Sequence, residues 1–313
     1  MKARLKKYPL NQCALYKCST KKKLEYFLKL EKGTIKRIEK MIQYREFSIP
    51  KKGSSEMRDI TAPAEALKSV QRRILKLLQC IERPEWLISG ERGKSYVDNG
   101  LAHIESDYIL AVDIKSFYDH CKREAVYRFF RNTMQTAADV AQILTDIITY
   151  HGGIPTGCPT SQIIAFYAYE NMFYEIASTA DRYGCIFTLY VDDMTFSSKK
   201  AFDPCKLARE VDIILRKYGH CPKYKKVKYY PRSSAKPVTG TIITKEHRLT
   251  APNTLQKNIY EGFLALNTLP EGQTYTVEQT KELATLKGRV YAARNIDKQM
   301  FPEIFRKVSA VKT

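Results

Sequence analysis

Three aspartates carry the most specific chemistry in this sequence. Asp192 and Asp193 stand side by side in C-I-F-T-L-Y-V-D-D-M-T-F-S-S, residues 185–198. Cys185 to Tyr190 reads as one short strand and Met194 to Ser198 as a second, so Val191, Asp192 and Asp193 fall at or near a hairpin tip. Adjacent side chains inside a strand point to opposite faces, whereas at a turn both can reach one place. Two carboxylates there repel unless a proton or a cation lies between them, and hard oxygen ligands suit magnesium. Asp-Asp is also common in turns for local hydrogen-bonding reasons, so the pair gains meaning from a third acid. Asp113 ends the apolar run Y-I-L-A-V at 108–112, where an unpaired carboxylate is expensive. Two strand-end acidic sites, far apart in a basic chain, fit one shared metal centre and the two-metal chemistry of phosphoryl transfer.

The elements around these acids must come from a chain of 313 residues with 44% hydrophobic content. That is enough for two or three substructures and a sizeable core, and it excludes a disordered chain. Lys and Arg number 53 against 33 Asp and Glu, a formal net charge of +20. Such an excess calls for a polyanionic partner, with nucleic acid leading. A membrane surface is the weaker alternative, since no basic amphipathic helix or lipidation signal supports it. The N-terminus lacks the apolar core of a signal peptide, and no apolar run approaches the roughly 20 residues that span a bilayer. The eight cysteines form no C-x-x-C pair and the five histidines complete no zinc pattern. A cytoplasmic protein with reduced thiols is expected, its cysteines serving as small packing residues.

Along the chain, residues up to about 44 are Lys-rich and helical in flavour, either a solvated face or an RNA contact. Lys51 to Ser55 reads as a turn between two short strands, and Lys52 with Arg58 on that hairpin suits a triphosphate clamp or plain solvation. Pro63 opens a helix whose Leu67, Val70, Ile74, Leu77 and Leu78 keep core spacing. Asn99 and His103, four apart, share a face if helical; a capping Asn and a surface His are the alternative. Residues 121 to 150 read as helical. Gly152, Gly153, Pro155 and Gly157 then make a loop running into a helix from Ile163 to Phe173, a place for a phosphate or base pair to lie against backbone, or an ordinary helix entry. Residues 221–232 interleave Lys with Tyr and Val. As a strand they place Lys223 and Lys225 on one face and Lys226 and Lys228 on the other, which suits a nucleic-acid backbone. K-P-V-T-G-T-I-I-T-K-E follows as a strand pair, and amphipathic helices close the chain.

In this order the segments resemble reverse transcriptases over most of the chain. Y-V-D-D at 190–193 resembles the family's Y-x-D-D box, and Asp113 with Phe117-Tyr118 its first catalytic block. I-P-T-G-C-P-T-S at 154–161 resembles the P-Q-G-x-P-x-S loop, and R-D-I-T-A-P at 58–63 the fingers block. Among bacterial members the chain is most similar to retron enzymes. N-G-L-A-H at 99–103 resembles the retron N-A-x-x-H pattern, with Gly for Ala, and Val238-Thr239-Gly240 the V-T-G motif. Two positions depart from the family: Thr156 replaces the usual Gln, and only Lys226 matches the Asn-x-x-Lys block. The family also holds the position of Val191 in a strained turn, costly for a β-branched residue.

The resemblance implies an α/β (α+β) fold of right-hand polymerase architecture, with fingers, a palm of antiparallel sheet plus helices, and a helical thumb. It divides the chain into 1–105 (fingers and N-terminal helical region), 106–244 (palm, with 121–150 a helical fingers-side insertion) and 245–313 (RNA-binding thumb). Asp113, Asp192 and Asp193, with the main chain of Ile114, would hold two Mg2+ ions. Lys52, Arg58, Ile114, Tyr118, Thr156, Gly157 and Lys226 would surround the incoming nucleotide, Tyr118 excluding a 2′-hydroxyl. Asn99, His103, Val238, Thr239, Gly240, Lys287 and Arg289 would grip RNA. The implied activity is RNA-directed DNA synthesis from dNTPs on a structured non-coding RNA (msr–msd). Synthesis would be primed from a guanosine 2′-hydroxyl and leave msDNA, which acts with an effector protein in anti-phage defence. The rival readings are another bacterial reverse transcriptase class, intron-encoded or diversity-generating, a catalytically silent RNA-binding scaffold, and a metal nuclease.

Overall fold

A computed structural model describes residues 6–50, 57–267 and 276–310. The first helix, α1 (Lys21–Leu28), starts where the Thr20 hydroxyl accepts the Lys23 N–H at 3.2 Å, and it buries Leu24 and Leu28 beneath exposed lysines. Strands β1 (Tyr44–Pro50) and β2 (Met57–Pro63) pair as an antiparallel hairpin from Tyr44↔Pro63 to Pro50↔Met57. The expected turn at 51–55 lies outside the described residues. Pro63 does not open a helix: it ends β2, and α2 (Glu65–Leu78) begins after Ala64. A strand end tolerates proline as well as a helix start does, and pairing with Tyr44 decides between them. α2 buries Leu67, Val70, Ile74, Leu77 and Leu78, as their spacing requires.

Helix α3 (Tyr96–Ala102) begins with a capping box between Ser95 and Asp98. Strand β3 (Tyr108–Asp113) and the short α4 (Phe117–His120) follow. The expected helical stretch 121–150 is divided into α5 (Arg123–Arg128), a π turn at Phe129–Thr133 and α6 (Ala138–Ile148). The next expected helix is likewise two, α7 (Ser161–Ala168) and α8 (Glu170–Arg182). Between them the Tyr169 hydroxyl donates to His120 O at 3.1 Å and accepts the Lys122 N–H at 3.0 Å, so the break is held from outside the helix.

Strands β4 (Ile186–Tyr190) and β5 (Asp193–Ser198) precede α9 (Pro204–Lys217) and β6 (Lys228–Tyr230). The four strands β3 to β6 form one antiparallel sheet in the order β4-β5-β3-β6. A smaller sheet, β7 (Lys236–Val238), β8 (Thr241–Ile243) and β9 (Leu249–Thr250), leads into α10 (Asn253–Asn267), α11 (Val277–Ile296) and α12 (Pro302–Ala310). The last three helices enclose a core of their own around Ile259, Leu283, Leu286, Val290 and Ile304, apart from the main core that runs from Cys13 to Leu215. Among the described residues no helix is long and apolar enough to cross a membrane, and all eight cysteines are unpaired.

Candidate active site

The two acidic sites meet in the middle of the four-stranded sheet. Tyr190 pairs with Asp193 to close the β4–β5 hairpin, leaving Val191 and Asp192 as its two central residues. On the other side of β5, Asp193 is the cross-strand partner of Asp113. The turn is then tied to the end of β3, because the Ile114 N–H donates to Asp192 O at 3.1 Å. Asp113 is anchored in turn by the Lys223 N–H, which donates to Asp113 O at 2.7 Å. Local alternation places each acid at a strand end, and sheet pairing brings the ends together.

The three carboxylates perturb one another. Burial, then the charges of Asp192 and Asp113 and a hydrogen bond with Asp113, push Asp193 up to about 7. Burial and Asp113 also raise Asp192, against the pull of Lys226 and Arg58. The Lys226 ammonium forms an ion pair with Asp113. Burial opposes its charge, but that hydrogen bond and the three carboxylates together raise its pKa. Among the described residues, no three His, Cys, Asp or Glu side chains stand close enough to hold an ion as they are. In kind the donors still suit a hard divalent cation: Asp113 and Asp193 are cross-strand partners beside Asp192, and each offers carboxylate oxygens.

The expected strand at 221–232 is shorter than its pattern. Tyr224–Lys226 is a 3-10 turn and only Lys228–Tyr230 pairs, so the predicted two-faced lysine pattern does not form. The attraction of Lys226 to Asp113 and the Lys223–Asp113 backbone bond outweigh alternation here. Tyr118 is half-buried on α4, and burial followed by the Asp192 charge raises its pKa. Arg58 is exposed on β2 with its charge acting on Asp192. Lys52 lies outside the described residues.

The loop before α7 is docked on β2. The Gly157 N–H donates to Thr61 O at 3.1 Å, and a Cβ on Gly157 would lie 2.6 Å from that oxygen, so only glycine fits. The exposed Thr156 hydroxyl donates to Asp59 O at 3.2 Å. A cavity of about 250 Å³ beside the acids is lined by Asp113, Asp193, Lys226, Lys228, Tyr230 and Thr239, among others. Tyr230 was not singled out from the sequence; its i, i+2 spacing from Lys228 on one strand face was the available signal.

The proposed RNA-gripping residues divide. Asn99 and His103 are fully buried, which overturns their expected direct contact with RNA. Asn99 Nδ2 donates to Thr239 Oγ1 at 2.7 Å, while the His103 ring bridges Ser197 Oγ at 2.6 Å and Thr188 Oγ1 at 2.7 Å. α3 packs against β4 and β8, so its polar face turns inward; the His103 ring and Asn99 Nδ2 find hydroxyl partners there, while the buried Asn99 Oδ1 has none. Val238 is likewise buried, while Thr239 and Gly240 form a tight turn with φ of +38° and +83°. Gly100 replaces the family's Ala because a Cβ there would lie 2.4 Å from Thr241 Oγ1. Lys287 and Arg289 are half-buried on α11, and Arg289 donates to Asn258 O of α10 at 3.3 Å.

A family model described as reverse transcriptase (RNA-dependent DNA polymerase) matches residues 49–243. The chain is 28% identical over 160 residues to the retron Se72 reverse transcriptase of Salmonella heidelberg, covering 51% of this chain and 42% of that protein. It is 28% identical over 206 residues to the retron Ec86 reverse transcriptase of Escherichia coli, covering 65% of this chain and 64% of that protein. The matched region is therefore less than two thirds of either relative. Among solved structures, apo telomerase from Candida tropicalis, truncated from its C-terminal domain, superposes with a TM-score of 0.51 at 13% identity, covering 68% of this chain and 55% of that one. That likeness and the helix-flanked antiparallel sheet agree with the α+β polymerase fold expected from the sequence.

Proposed function

The chain belongs to the reverse transcriptase (RNA-dependent DNA polymerase) family, and from that premise we propose that it is a retron enzyme. It copies part of a structured non-coding RNA into DNA, starting from a guanosine 2′-hydroxyl of that RNA, and its msDNA product works with an effector protein in anti-phage defence. The observation that carries the catalytic reading is the pairing of Asp113 with Asp193 beside the Asp192 turn. Similarity to retron enzymes supports the retron assignment.

In this reading Asp113, Asp192 and Asp193, with the Ile114 main chain, hold two Mg2+ ions. When bound, these would acidify the priming hydroxyl and neutralise the departing pyrophosphate. The chain's own groups do the rest. Lys226 leaves Asp113 for the triphosphate when the acids are charge-compensated, and Arg58 and Lys52 clamp its outer oxygens. Tyr118 closes the space beneath the sugar and so excludes a 2′-hydroxyl. The Thr156-Gly157 loop, fixed to β2, supports the templating pair; Thr156 offers a shorter hydrogen-bonding arm there than the family's Gln. Residues 1–105 serve as fingers, 106–244 as palm and 245–313 as a thumb that follows the RNA.

The test is DNA synthesis by the chain purified with its co-expressed RNA, supplied with Mg2+ and dNTPs, followed by sequencing of the bound nucleic acid. A 2′,5′-branched RNA–DNA species is expected. Asp192→Asn should lower synthesis by roughly three orders of magnitude while RNA binding persists. Unbranched products would favour an intron-encoded or diversity-generating enzyme. RNA binding without synthesis would mean a silent scaffold, and Mg2+-dependent cleavage alone a nuclease.

A further inference from the structure

Asp192 sits in a turn whose first central residue, Val191, has φ +62°. Primed hairpin turns give that place to glycine, because a Cβ crowds the neighbouring carbonyl, and a β-branched side chain crowds it most. The turn therefore needs support from outside the hairpin. It comes from residues 86–90. The Val191 N–H donates to Ser89 Oγ at 2.8 Å, and Ser89 is buried. The same segment runs beside β4 as an added strand fragment: the Leu189 N–H donates to Trp86 O at 2.9 Å and the Ile88 N–H to Leu189 O at 3.0 Å.

Both flanks of the segment are locked. Arg83 and Glu91 form an ion pair, Lys7 Nζ reaches Glu91 at 2.8 Å, and Lys94 Nζ donates to Glu85 O at 2.7 Å. The Arg83 side chain is almost wholly buried, so the pair closes the loop from within. On its far side Gly90, at φ +70°, lies against Gln162 of α7, where a Cβ would come 3.2 Å from the carboxamide carbon. One rigid loop thus touches both the acid-bearing turn and the helix behind Thr156-Gly157.

We propose that Ser89 is a positioning residue for the proposed polymerase reaction. Its hydroxyl holds the left-handed backbone at Val191 and thereby keeps the Asp192 carboxylate beside Asp113. This rests on the polymerase reading above. Without Ser89 the part-buried Val191 N–H loses this acceptor, and the turn relaxes by shifting Asp192.

The experiment compares wild type, Ser89→Ala and Ser89→Thr in primer extension and in direct Mn2+ binding read by electron paramagnetic resonance. Ser89→Ala should lower kcat and weaken Mn2+ binding about tenfold each. The KM for dNTP and the RNA affinity should stay unchanged, and Ser89→Thr should restore both losses. In a Val191→Gly background, where positive φ is free of strain, Ser89→Ala should cost less than about threefold in each readout. Should Ser89→Ala not fold, Ser89→Cys, a weaker acceptor of similar shape, carries the same comparison. Wild-type Mn2+ binding in the Ala variant, no rescue by Thr, or an equal loss in the Val191→Gly background would each overturn the proposal. If wild type makes no DNA, the polymerase reading fails, while the Mn2+ arm still tests Ser89.

Discussion

Lowering the pH should weaken the fold through His103. Its imidazole is buried between Ser197 and Thr188, where both ring nitrogens are occupied by hydroxyls. Burial holds its pKa down to about 3, against about 6.5 for a free histidine. Below pH 6.5 the unfolded chain takes up a proton that the folded ring refuses. The contribution of His103 is therefore whole above about pH 6.5 and is lost progressively as the pH falls toward 3. Each pH unit inside that window is worth about 1.4 kcal/mol, so passing from pH 7 to pH 5 should remove about 2 kcal/mol. Urea unfolding followed by fluorescence of Trp86, the one tryptophan, measures this at pH 7, 6 and 5. The comparison is with His103→Gln, which keeps a donor and an acceptor but cannot titrate. Other groups, including His220, which burial holds down to about 4, cancel in the difference. The variant should be less stable at pH 7, and the gap should close by about 2 kcal/mol at pH 5. Parallel pH curves would refute the reasoning, since the ring would then be open to solvent or already charged. RNA affinity at pH 7 should be unaffected by His103→Gln, in contrast to a residue that touches the ligand.

Three further outcomes are expected. Tyr118→Ala should admit ribonucleotides, lowering the preference for dNTP over rNTP by roughly 10- to 100-fold in single-nucleotide extension; an unaltered sugar preference would sink the gate. Gly157→Ala should cost about 1–3 kcal/mol in thermal or urea unfolding, because its Cβ meets Thr61 O, and should raise the KM for dNTP; a fully stable variant would mean the loop is not docked on β2. RNA affinity should fall steeply with salt, as lysines and arginines displace counterions; a filter-binding series from low to moderate salt giving a flat response would place the +20 charge away from the RNA.

Much of the site could be read along the chain because its parts are local. Apolar runs ending in acids announce strand ends, and the short gap after Tyr190 announces a hairpin, although the second strand starts at Asp193 and not at Met194 as its pattern suggests. Other stretches misled because two local patterns were equally satisfied. Pro63 suits a strand end and a helix start alike. Lys223 to Lys228 alternates like a strand, yet a 3-10 turn forms there because Asp113 competes for Lys226 and the Lys223 N–H. Asn99 and His103 look like surface polar residues, yet both are buried with hydroxyl partners 140 and 94 residues away.

The sequence alone nominated the three aspartates and the strand ends that carry them, because helix and strand periods and turn preferences act over a few residues. Only the tertiary structure decided the partners: Asp193 beside Asp113, His103 turned inward, Ser89 under Val191. Those pairings depend on how strands order in a sheet and how a distant loop packs against it. No residue spacing encodes that distance in space.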